Sequence, residues 1–393
     1  MPWKNAHLMS IRHNFVLQAL SPGSNISALC RDYNVSRKTG YKWLHRYRIG
    51  GVLALDNLDR GPAAGRPLKV SAEMAIEVLN IRDAHPTWGA RKLQVMLKRQ
   101  YPAKEVPSER TIGRILTRAG RVKPRRVRGR KSSPSKRPNL EITGSNQVWT
   151  VDFKGWWRTG TGRRVEPLTV RDAHSRFLLA VRVPRTIRTE DVRPIFEELF
   201  KRFGMPDAIL SDNGSPFASR GQSGLTKLSA WWVALGIQHV RSRPGCPQDN
   251  GGHERMHLDM KRELQNHPAW NVEEQQVACE RWRHEFNEVR PHEALGQATP
   301  SSVYRRSRRV FPSSAPQCVY PSEWSTRRVQ KGGTVRYNGF QRHVSAALRG
   351  YDIGFEPLDG PHFRVWFAGL CLGVGRLPWN QALRPPGTDV PQL

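Results

Sequence analysis

Residues 146–308 constrain the fold most strongly, because short apolar runs alternate there with helical patterns. The apolar runs cover residues 148–153, 168–170, 177–183 and 208–210, and the helical patterns cover residues 189–203, 225–235 and 272–287. Short apolar runs are typical of buried strands, whereas apolar residues spaced by three and four are typical of amphipathic helices. Their alternation predicts a mixed α/β domain over residues 146–308.

Two helical segments are predicted ahead of this domain, over residues 1–62 and 66–120. In the first, the helical pattern breaks at Asn34 and restarts behind Ser36, a residue type that commonly caps helices. Residues 25–47 therefore predict a helix-turn-helix. The second segment repeats the alternation of helical patterns and breaks, and it predicts another helix-turn-helix-like unit.

The second helix of residues 25–47 has the composition of a DNA-reading helix. Its basic side chains are expected to face outward: Arg37, Lys38, Lys42 and Arg46. Tyr41 and Leu44 are expected to pack inward, which gives the geometry of a helix that reads the major groove. The alternative is a basic helical pair that makes no groove contact.

Residues 121–145 form a strongly cationic segment before the α/β domain. Nine of the 17 residues from 121 to 137 are Lys or Arg and none is acidic, while Pro124 and Pro134 prevent a continuous helix. We expect a linker whose arginines contact DNA phosphates: Arg125, Arg126, Arg128 and Arg130. A solvated spacer is the alternative.

The C-terminal part of the chain is rich in strand-like runs. They cover residues 334–337, 343–345, 351–356, 363–367 and 370–373. Turn-forming pairs, Asn338-Gly339 and Asp359-Gly360, separate some of them. Five short strands predict a small β-barrel over residues 325–380.

The charge of the chain indicates a polyanionic partner. With 64 Lys and Arg against 33 Asp and Glu, the formal net charge is +31, far more than solubility requires. No apolar stretch is long enough to span a membrane, and the five cysteines form no C-x-x-C pair. We therefore expect an intracellular protein with no membrane partner, no disulfide framework and no cysteine-based zinc module.

Three acidic residues stand where a phosphodiester-cleaving site is expected. Asp152 and Asp212 follow apolar runs, and Glu254 begins a helical pattern after two glycines. Carboxylates at strand ends can converge, and two divalent cations that act on a phosphodiester need such hard oxygen ligands. The alternative is that each acid caps a turn or pairs with one of the many basic residues.

Four segments contain these acids or follow them: VWTVD at 148–152, LSDNGSPF at 210–217, RPGCPQDNGGHER at 243–255 and FNEVRPH at 286–292. They resemble the core of bacterial insertion-sequence transposases of the retroviral-integrase (DDE) superfamily, and the match covers residues 146–304. The resemblance implies an RNase H-like fold, with catalysis and metal binding at Asp152, Asp212 and Glu254. The 41 residues between Asp212 and Glu254 exceed the spacing in many relatives, and a loop at 218–224 can absorb the difference.

The resemblance also implies a function. Such a transposase binds the ends of a mobile element and uses two Mg²⁺ or Mn²⁺ ions to cleave DNA strands and join them to a target. The implied partners are the terminal inverted repeats, the target DNA and further copies of the same chain. The implied location is the bacterial cytoplasm, in association with the nucleoid.

Two residues are expected beside Glu254 on one helix face, His257 and Lys261, and both are predicted DNA contacts. The same stretch, residues 253–257, also matches H-E-x-x-H, the zinc signature of metalloproteases. A zinc protease would explain neither the charge nor the two upstream acids. The other alternative is a non-catalytic DNA-binding protein derived from a transposase, which the charge and the helix-turn-helix pattern fit equally well.

Overall fold

The computed structural model describes residues 8–56, 70–122, 142–219, 221, 224–243, 251–314 and 316–385. The chain forms two compact units, Met1–Ser71 and Ala72–Leu393. Among the helices in the described ranges, none is long and apolar enough to cross a lipid bilayer.

In the first unit, the described residues form the helices α1 (Leu8–Leu20), α2 (Ile26–Asp32) and α3 (Arg37–Gly50). Asn34 adopts a positive φ of 50° in the turn between α2 and α3, a conformation that asparagine tolerates better than most residues. The Ser36 hydroxyl accepts a hydrogen bond from the Thr39 backbone N–H at 3.2 Å. The predicted break and the predicted N-cap are thus both confirmed.

The buried face of α3 differs in part from the predicted one. Leu44 packs inward as expected, but Tyr41 is 55% exposed and Trp43 is buried in its place. Gly40 accounts for this orientation, because a Cβ there would lie 2.6 Å from Cys30 Sγ. Since α2 and α3 approach closely at Gly40, the helix turns Gly40 and Trp43 inward and leaves Tyr41 in solvent.

The second unit begins with three more helices: α4 (Ala72–Ala84), α5 (Ala90–Gln100) and α6 (Glu109–Arg118). The Ser108 hydroxyl accepts a hydrogen bond from the Thr111 backbone N–H, which repeats the cap in front of α3. Apolar side chains from all three helices are buried: Val78, Leu93, Leu97, Ile112 and Leu116. The helices pack on one another as a compact bundle.

Seven strands follow: β1 (Val148–Phe153), β2 (Trp157–Arg158), β3 (Arg164–Val165), β4 (Leu168–Asp172), β5 (Leu178–Arg182), β6 (Ala208–Ser211) and β7 (Gln238–Arg241). Five of them form a sheet in the order β5-β4-β1-β6-β7, while β2 and β3 pair with each other. Strands β5, β4 and β1 are antiparallel, whereas β1, β6 and β7 run parallel. This mixed sheet agrees with the predicted RNase H-like domain.

Five helices accompany the sheet: α7 (Thr189–Phe203), α8 (Lys227–Ala234), α9 (Gly251–Met260), α10 (Val272–His284) and α11 (Pro300–Val303). Helices α9 and α10 each continue into a π-helical turn, Lys261–Gln265 and Glu285–Val289. Helices α7 and α8 pack against the sheet around Phe196 and Trp232, and α9 and α10 pack around Leu178, Met256 and Trp282 in a separate core. Helices on both faces bury the strands, which explains their continuous apolar runs.

Six strands form the C-terminal part: β8 (Ser325–Arg328), β9 (Thr334–Tyr337), β10 (Phe340–His343), β11 (Asp352–Pro357), β12 (His362–Phe367) and β13 (Leu370–Arg376). The sheet order is β13-β12-β11-β8, and β9 and β10 form a separate hairpin. The predicted small β-barrel is not confirmed, since the pairings in the described ranges do not close into a ring. The predicted strand at 343–345 is wrong for its last two residues, because the backbone N–H groups of Val344 and Ser345 both turn back to Gly333 O.

Candidate active site

Asp152 lies near the end of β1, and Asp212 directly follows β6, the neighbouring parallel strand of the central sheet. Thr150 of β1 is paired with Leu210 of β6, so continuing both strands by two residues brings Asp152 opposite Asp212. Asp212 is exposed, and its Oδ1 accepts a hydrogen bond from the Gly214 backbone N–H at 3.1 Å. The turn after β6 thus holds this carboxylate at the same end of the sheet as Asp152.

Glu254 brings a third carboxylate from a different element. It lies in the first turn of α9 and is exposed to solvent. The helix also carries His257, whose Nδ1 lies 3.7 Å from Asp152 Oδ2. Helix α9 therefore lies against the strand that carries Asp152.

The three carboxylates interact electrostatically. Burial, together with the negative charges of Asp212 and Glu254, raises the pKa of Asp152 to about 7, although the Phe153 backbone N–H and the Lys154 charge oppose the rise. Burial is the largest cause, and the charges of two other carboxylates add to it. A bound divalent cation would reverse this effect.

Two lysines border the carboxylates. Lys154 is half-buried and follows Asp152 by two residues, which places both side chains on the same side of an extended chain. Burial and the positive charge of Lys261 lower the pKa of Lys154, while Asp152 raises it. Lys261 itself is exposed, at the start of the π-helical turn after α9. The site thus combines negative and positive groups, as phosphodiester binding requires.

A buried hydroxyl on β4 connects the strand of Asp152 to the helix of Glu254. Thr169 is the cross-strand partner of Asp152, and its Oγ1 donates to the Asp152 carbonyl oxygen at 2.9 Å. The same Oγ1 lies 2.9 Å from His257 Nε2 and 3.1 Å from His253 Nε2. Burial lowers the pKa of His257 to about 3 and that of His253 well below its usual value, so both rings are neutral at pH 7.

This arrangement argues against a zinc protease. Both histidines of the H-E-x-x-H stretch direct Nε2 at Thr169, and His253 is completely buried. A metalloprotease needs both histidines and a third protein ligand on one zinc ion. In the described part of the chain, no three His, Cys, Asp or Glu side chains are grouped so that they could hold a metal ion.

The same finding bears on the predicted two-ion site. Asp212 and Glu254 both lie within electrostatic range of Asp152, but the described residues do not form a closed set of ligands. Their chemistry nevertheless fits Mg²⁺ or Mn²⁺, since these ions prefer carboxylate oxygens. The raised pKa of Asp152 marks negative charge that such an ion would neutralise.

The residues predicted to contact DNA differ in how exposed they are to solvent. Three basic residues of α3 are exposed, Arg37, Lys38 and Lys42, while Arg46 is half-buried with its guanidinium carbon 5.1 Å from the Trp43 ring centroid. Lys261 is exposed, whereas His257 is only 12% exposed, which leaves little surface for the predicted DNA contact. The predicted linker contacts lie outside the described residues: Arg125, Arg126, Arg128 and Arg130.

Sequence reasoning missed three residues of the site: Lys154, Thr169 and Arg171. Arg171 lies on β4 and is buried; burial, with the charge of Arg176, lowers its pKa to about 10. A Cβ at Gly252 would lie 2.2 Å from Arg171 Nη2, so the start of α9 rests closely on this guanidinium. The spacing of Lys154 from Asp152 was a usable signal, but nothing in the sequence links β4 to α9.

Family models match both helical segments and the α/β domain. Two models of an integrase core domain match residues 143–247 and 235–300. A helix-turn-helix domain model matches residues 12–63, and a homeodomain-like domain model matches residues 39–116. The two core matches together contain Asp152, Asp212 and Glu254.

Two proteins of bacterial insertion elements are similar in sequence. An uncharacterized 39.2 kDa protein of insertion element IS476 from Xanthomonas euvesicatoria is 25% identical over 237 residues, which cover 60% of this chain and 65% of that protein. The matched region thus spans slightly less than two thirds of this relative. An uncharacterized 31.7 kDa protein of insertion element IS407 from Burkholderia multivorans is 27% identical over 237 residues, which cover 60% of this chain and 82% of that protein.

Solved structures of retroviral integrases show a weaker similarity. The HTLV-2 integrase catalytic core domain in complex with magnesium is 16% identical with a TM-score of 0.33, over 41% of this chain and 98% of that one. A chain of the simian T-cell lymphotropic virus intasome is 14% identical with a TM-score of 0.36, over 75% of this chain and 97% of that one. The fold assignment rests on the strand order and the family models, not on these low scores. The family models and the insertion-element relatives confirm the resemblance of this chain to bacterial insertion-sequence transposases of the retroviral-integrase superfamily.

Proposed function

We propose that the chain is a DNA transposase that cleaves and joins strands at Asp152, Asp212 and Glu254. The observation that supports this most is the raised pKa of Asp152, because two carboxylates from distant parts of the sequence contribute to it. In a chain with a net charge of +31, structural acids would be expected beside basic residues. Here the charges of Asp212 and Glu254 raise the pKa of Asp152 although Lys154 lies close by, and acids gathered in this way indicate a functional site.

In the proposed site, the oxygens of the three acids hold two Mg²⁺ or Mn²⁺ ions. When bound, the ions supply Lewis acidity and activate the attacking oxygen. The β1 strand fixes Asp152, while Asp212 and Glu254 are exposed and accessible to a DNA strand. Lys154 and Lys261 add positive charge that attracts the phosphate and offsets the charge that develops during reaction.

The proposed reaction consists of two steps of the same kind. First, water attacks a phosphorus at the element end, the P–O3′ bond breaks, and a 3′-OH is released. This 3′-OH then attacks a phosphorus of the target, and the target 3′ oxygen leaves with the proton. Each step exchanges one P–O bond for another, so neither needs a covalent protein intermediate or an external energy source.

The proposed partners are the terminal inverted repeats of a mobile element and the target DNA. We expect α3 to contact the element ends through its exposed basic face. The linker arginines are expected to contact phosphates: Arg125, Arg126, Arg128 and Arg130. Because two ends must be joined in concert, we propose a homo-oligomer on DNA.

The proposal is tested with the full chain, a duplex carrying its own element end, and Mg²⁺ or Mn²⁺. Asp152→Asn, Asp212→Asn and Glu254→Gln are each expected to lower cleavage and joining by about 1000-fold or more with DNA affinity unchanged, because each removes a ligand charge but preserves shape. Glu273→Gln is the matched control, since Glu273 is exposed in the first turn of α10. Full activity in any of the three acid variants would contradict the proposal.

A non-catalytic DNA-binding protein is the second candidate. It is favoured by the finding that, in the ranges described, no three side chains are grouped to hold a metal ion. A wild-type protein that binds element ends but neither cleaves nor joins them with Mg²⁺ or Mn²⁺ would support this candidate over the first.

A further inference from the structure

Three hydrogen bonds converge on the hydroxyl oxygen of Thr169. A hydroxyl offers one donor and two acceptor positions. The proton of Thr169 goes to the Asp152 carbonyl at 2.9 Å, and the two lone pairs face Nε2 of His257 and of His253, at 2.9 and 3.1 Å. Thr169 is completely buried, so water does not compete and its full hydrogen-bonding capacity goes to these three partners.

This convergence determines which ring nitrogens carry protons. Because Thr169 gives its own proton to a carbonyl, both imidazoles must donate to it through Nε2–H. Each Nδ1 is therefore unprotonated in the neutral ring. His257 Nδ1 faces Asp152 Oδ2 at 3.7 Å, which is beyond hydrogen-bond distance.

The apolar contacts of α9 lack this directionality, and its other buried polar contact, from Arg290 to Asp259, lies in the last turn of the helix, away from Glu254. Met256 and Met260 bury one face of the helix in the core, but methionine is flexible, and apolar contacts tolerate sliding and rotation. Two histidines one turn apart on a single fixed oxygen determine both the rotation and the axial position of the helix. The close approach of Gly252 to Arg171 fixes the beginning of the same helix.

The consequence concerns the two acids at the ends of this hydrogen-bond network. Glu254 is adjacent to His253 in the sequence, and Asp152 provides the carbonyl that Thr169 bonds. We propose that Thr169, His253 and His257 are positioning residues that set the location of Glu254 relative to Asp152. This inference rests on the proposed function and assigns a role to the H-E-x-x-H stretch other than zinc binding.

Two substitutions at Thr169 separate the hydroxyl from the shape of the side chain. Thr169→Val removes the hydroxyl, and Thr169→Ser retains it. Thr150→Val is the matched control, because Thr150 is buried on β1 and donates to the Arg171 carbonyl across the same strand pair at 3.3 Å. That hydroxyl has no histidine partner among the described hydrogen bonds.

The first readout is the binding of Mn²⁺ alone to the full chain, measured by titration calorimetry without DNA. Thr169→Val is expected to weaken the Mn²⁺ binding that depends on Asp152 by about 10- to 100-fold, as for other groups that orient metal ligands. Thr169→Ser is expected to stay within about threefold of wild type. Thr150→Val is expected to bind Mn²⁺ normally, although both valine variants lower the melting temperature.

The second readout is independent of metal and of activity. Nitrogen-15 spectra of histidine-labelled protein distinguish Nε2–H from Nδ1–H tautomers, and His253→Gln and His257→Gln assign the two signals. Wild type and Thr169→Ser are expected to show the Nε2–H tautomer at both positions. Thr169→Val is expected to lose this pattern.

The outcomes separate this inference from the proposed function. If wild type binds Mn²⁺ through Asp152 and Thr169→Val binds it as tightly as Thr150→Val, the positioning role is overturned while the proposed function stands. An Nδ1–H tautomer in wild type overturns the hydrogen-bond arrangement itself. If wild type shows no Mn²⁺ binding that Asp152→Asn removes, the proposed function fails, and the positioning role fails with it even where both rings are Nε2–H.

Discussion

The two helical segments, α1–α3 and α4–α6, share a sequence pattern but differ in what their basic residues contact. Ser36 and Ser108 cap the third helix of each segment in the same way. Yet the basic face of α3 is largely exposed, whereas Arg99 of α5 donates to the carbonyls of Val289 and Gln297 in the α/β domain. Helix α3 thus presents its basic residues to solvent and α5 uses basic residues within the chain, although α6 of the same segment also leaves Arg110, Arg114 and Arg118 exposed.

Other contacts attach the second helical segment to the core. His85 Nδ1 lies 2.8 Å from Glu285 Oε1, and its ring stacks on Trp88. Arg91 of α5 pairs with Glu293. Basic composition alone therefore does not identify a DNA-binding helix, because basic side chains can also form ion pairs and hydrogen bonds with acids and carbonyls elsewhere in the fold.

The largest expected effect comes from removing the exposed charges of α3. The triple variant Arg37→Ala, Lys38→Ala, Lys42→Ala is expected to lower affinity for element-end DNA by about 100-fold near physiological salt, because about three phosphate contacts are lost. The slope of log affinity against log salt should fall by about 3. Fluorescence anisotropy at several salt concentrations measures both quantities.

The matched control for this variant is the double variant Arg91→Ala, Arg99→Ala on α5. It is expected to reduce the free energy of unfolding by about 1 kcal/mol and to change the salt slope little, because these charges contact the core. If the slope of log affinity against log salt fell equally in both variants, the proposed difference between α3 and α5 in DNA binding would be wrong.

Two glycine substitutions are expected to act in opposite directions. Gly40→Ala should destabilise the first unit by about 1–3 kcal/mol, because its Cβ would clash with buried Cys30. Gly113→Ala in α6 should stabilise the second unit by about 0.5–1 kcal/mol, because a Cβ there meets no atom of the described residues within 4 Å and alanine is the better helix former. Urea denaturation measures the free energy of unfolding of both variants. A lower value for Gly113→Ala than for wild type would contradict the open space beside Gly113.

The smallest expected effect concerns Lys92, on the side of α5 near the core. Burial lowers the pKa of Lys92 to about 8, and the nearby charge of Arg290 contributes. Since the unfolded chain binds this proton more tightly, wild-type stability should rise between pH 8 and about 10.5. Lys92→Met should be more stable than wild type by about 1 kcal/mol at pH 7.5, after allowance for solvent screening, and equal to it at pH 10. A difference in unfolding free energy between wild type and Lys92→Met that stays constant from pH 7.5 to pH 10 would contradict the lowered pKa of Lys92.

Much of the fold could be predicted from local patterns. The strand Val148–Phe153 and the helix Thr189–Phe203 have the predicted bounds, because buried strands give continuous apolar runs and amphipathic helices give a regular period. Strand Gln238–Arg241 was not predicted, since it lies at the sheet edge and is mostly polar. The predicted orientation of Tyr41 was wrong, because it depends on the close approach of α2 to α3 at Gly40, which the sequence does not show.

The candidate site could be predicted only in part. Asp152 and Asp212 each stand directly behind a short apolar run, a signal that the sequence displays directly. The bonds from Thr169 to His253 and His257 join residues 84 and 88 positions apart, so no local pattern reveals them. Tertiary structure alone brings that hydroxyl beneath α9.

The central claim is that Asp152, Asp212 and Glu254 belong to one metal-binding site. Anomalous diffraction from crystals of the full chain grown with saturating Mn²⁺ tests it most directly. The account predicts Mn²⁺ peaks at ligand distance from Asp152 and Asp212, with Glu254 drawn into the same site. Well-ordered crystals with no Mn²⁺ at ligand distance from Asp152 would contradict it.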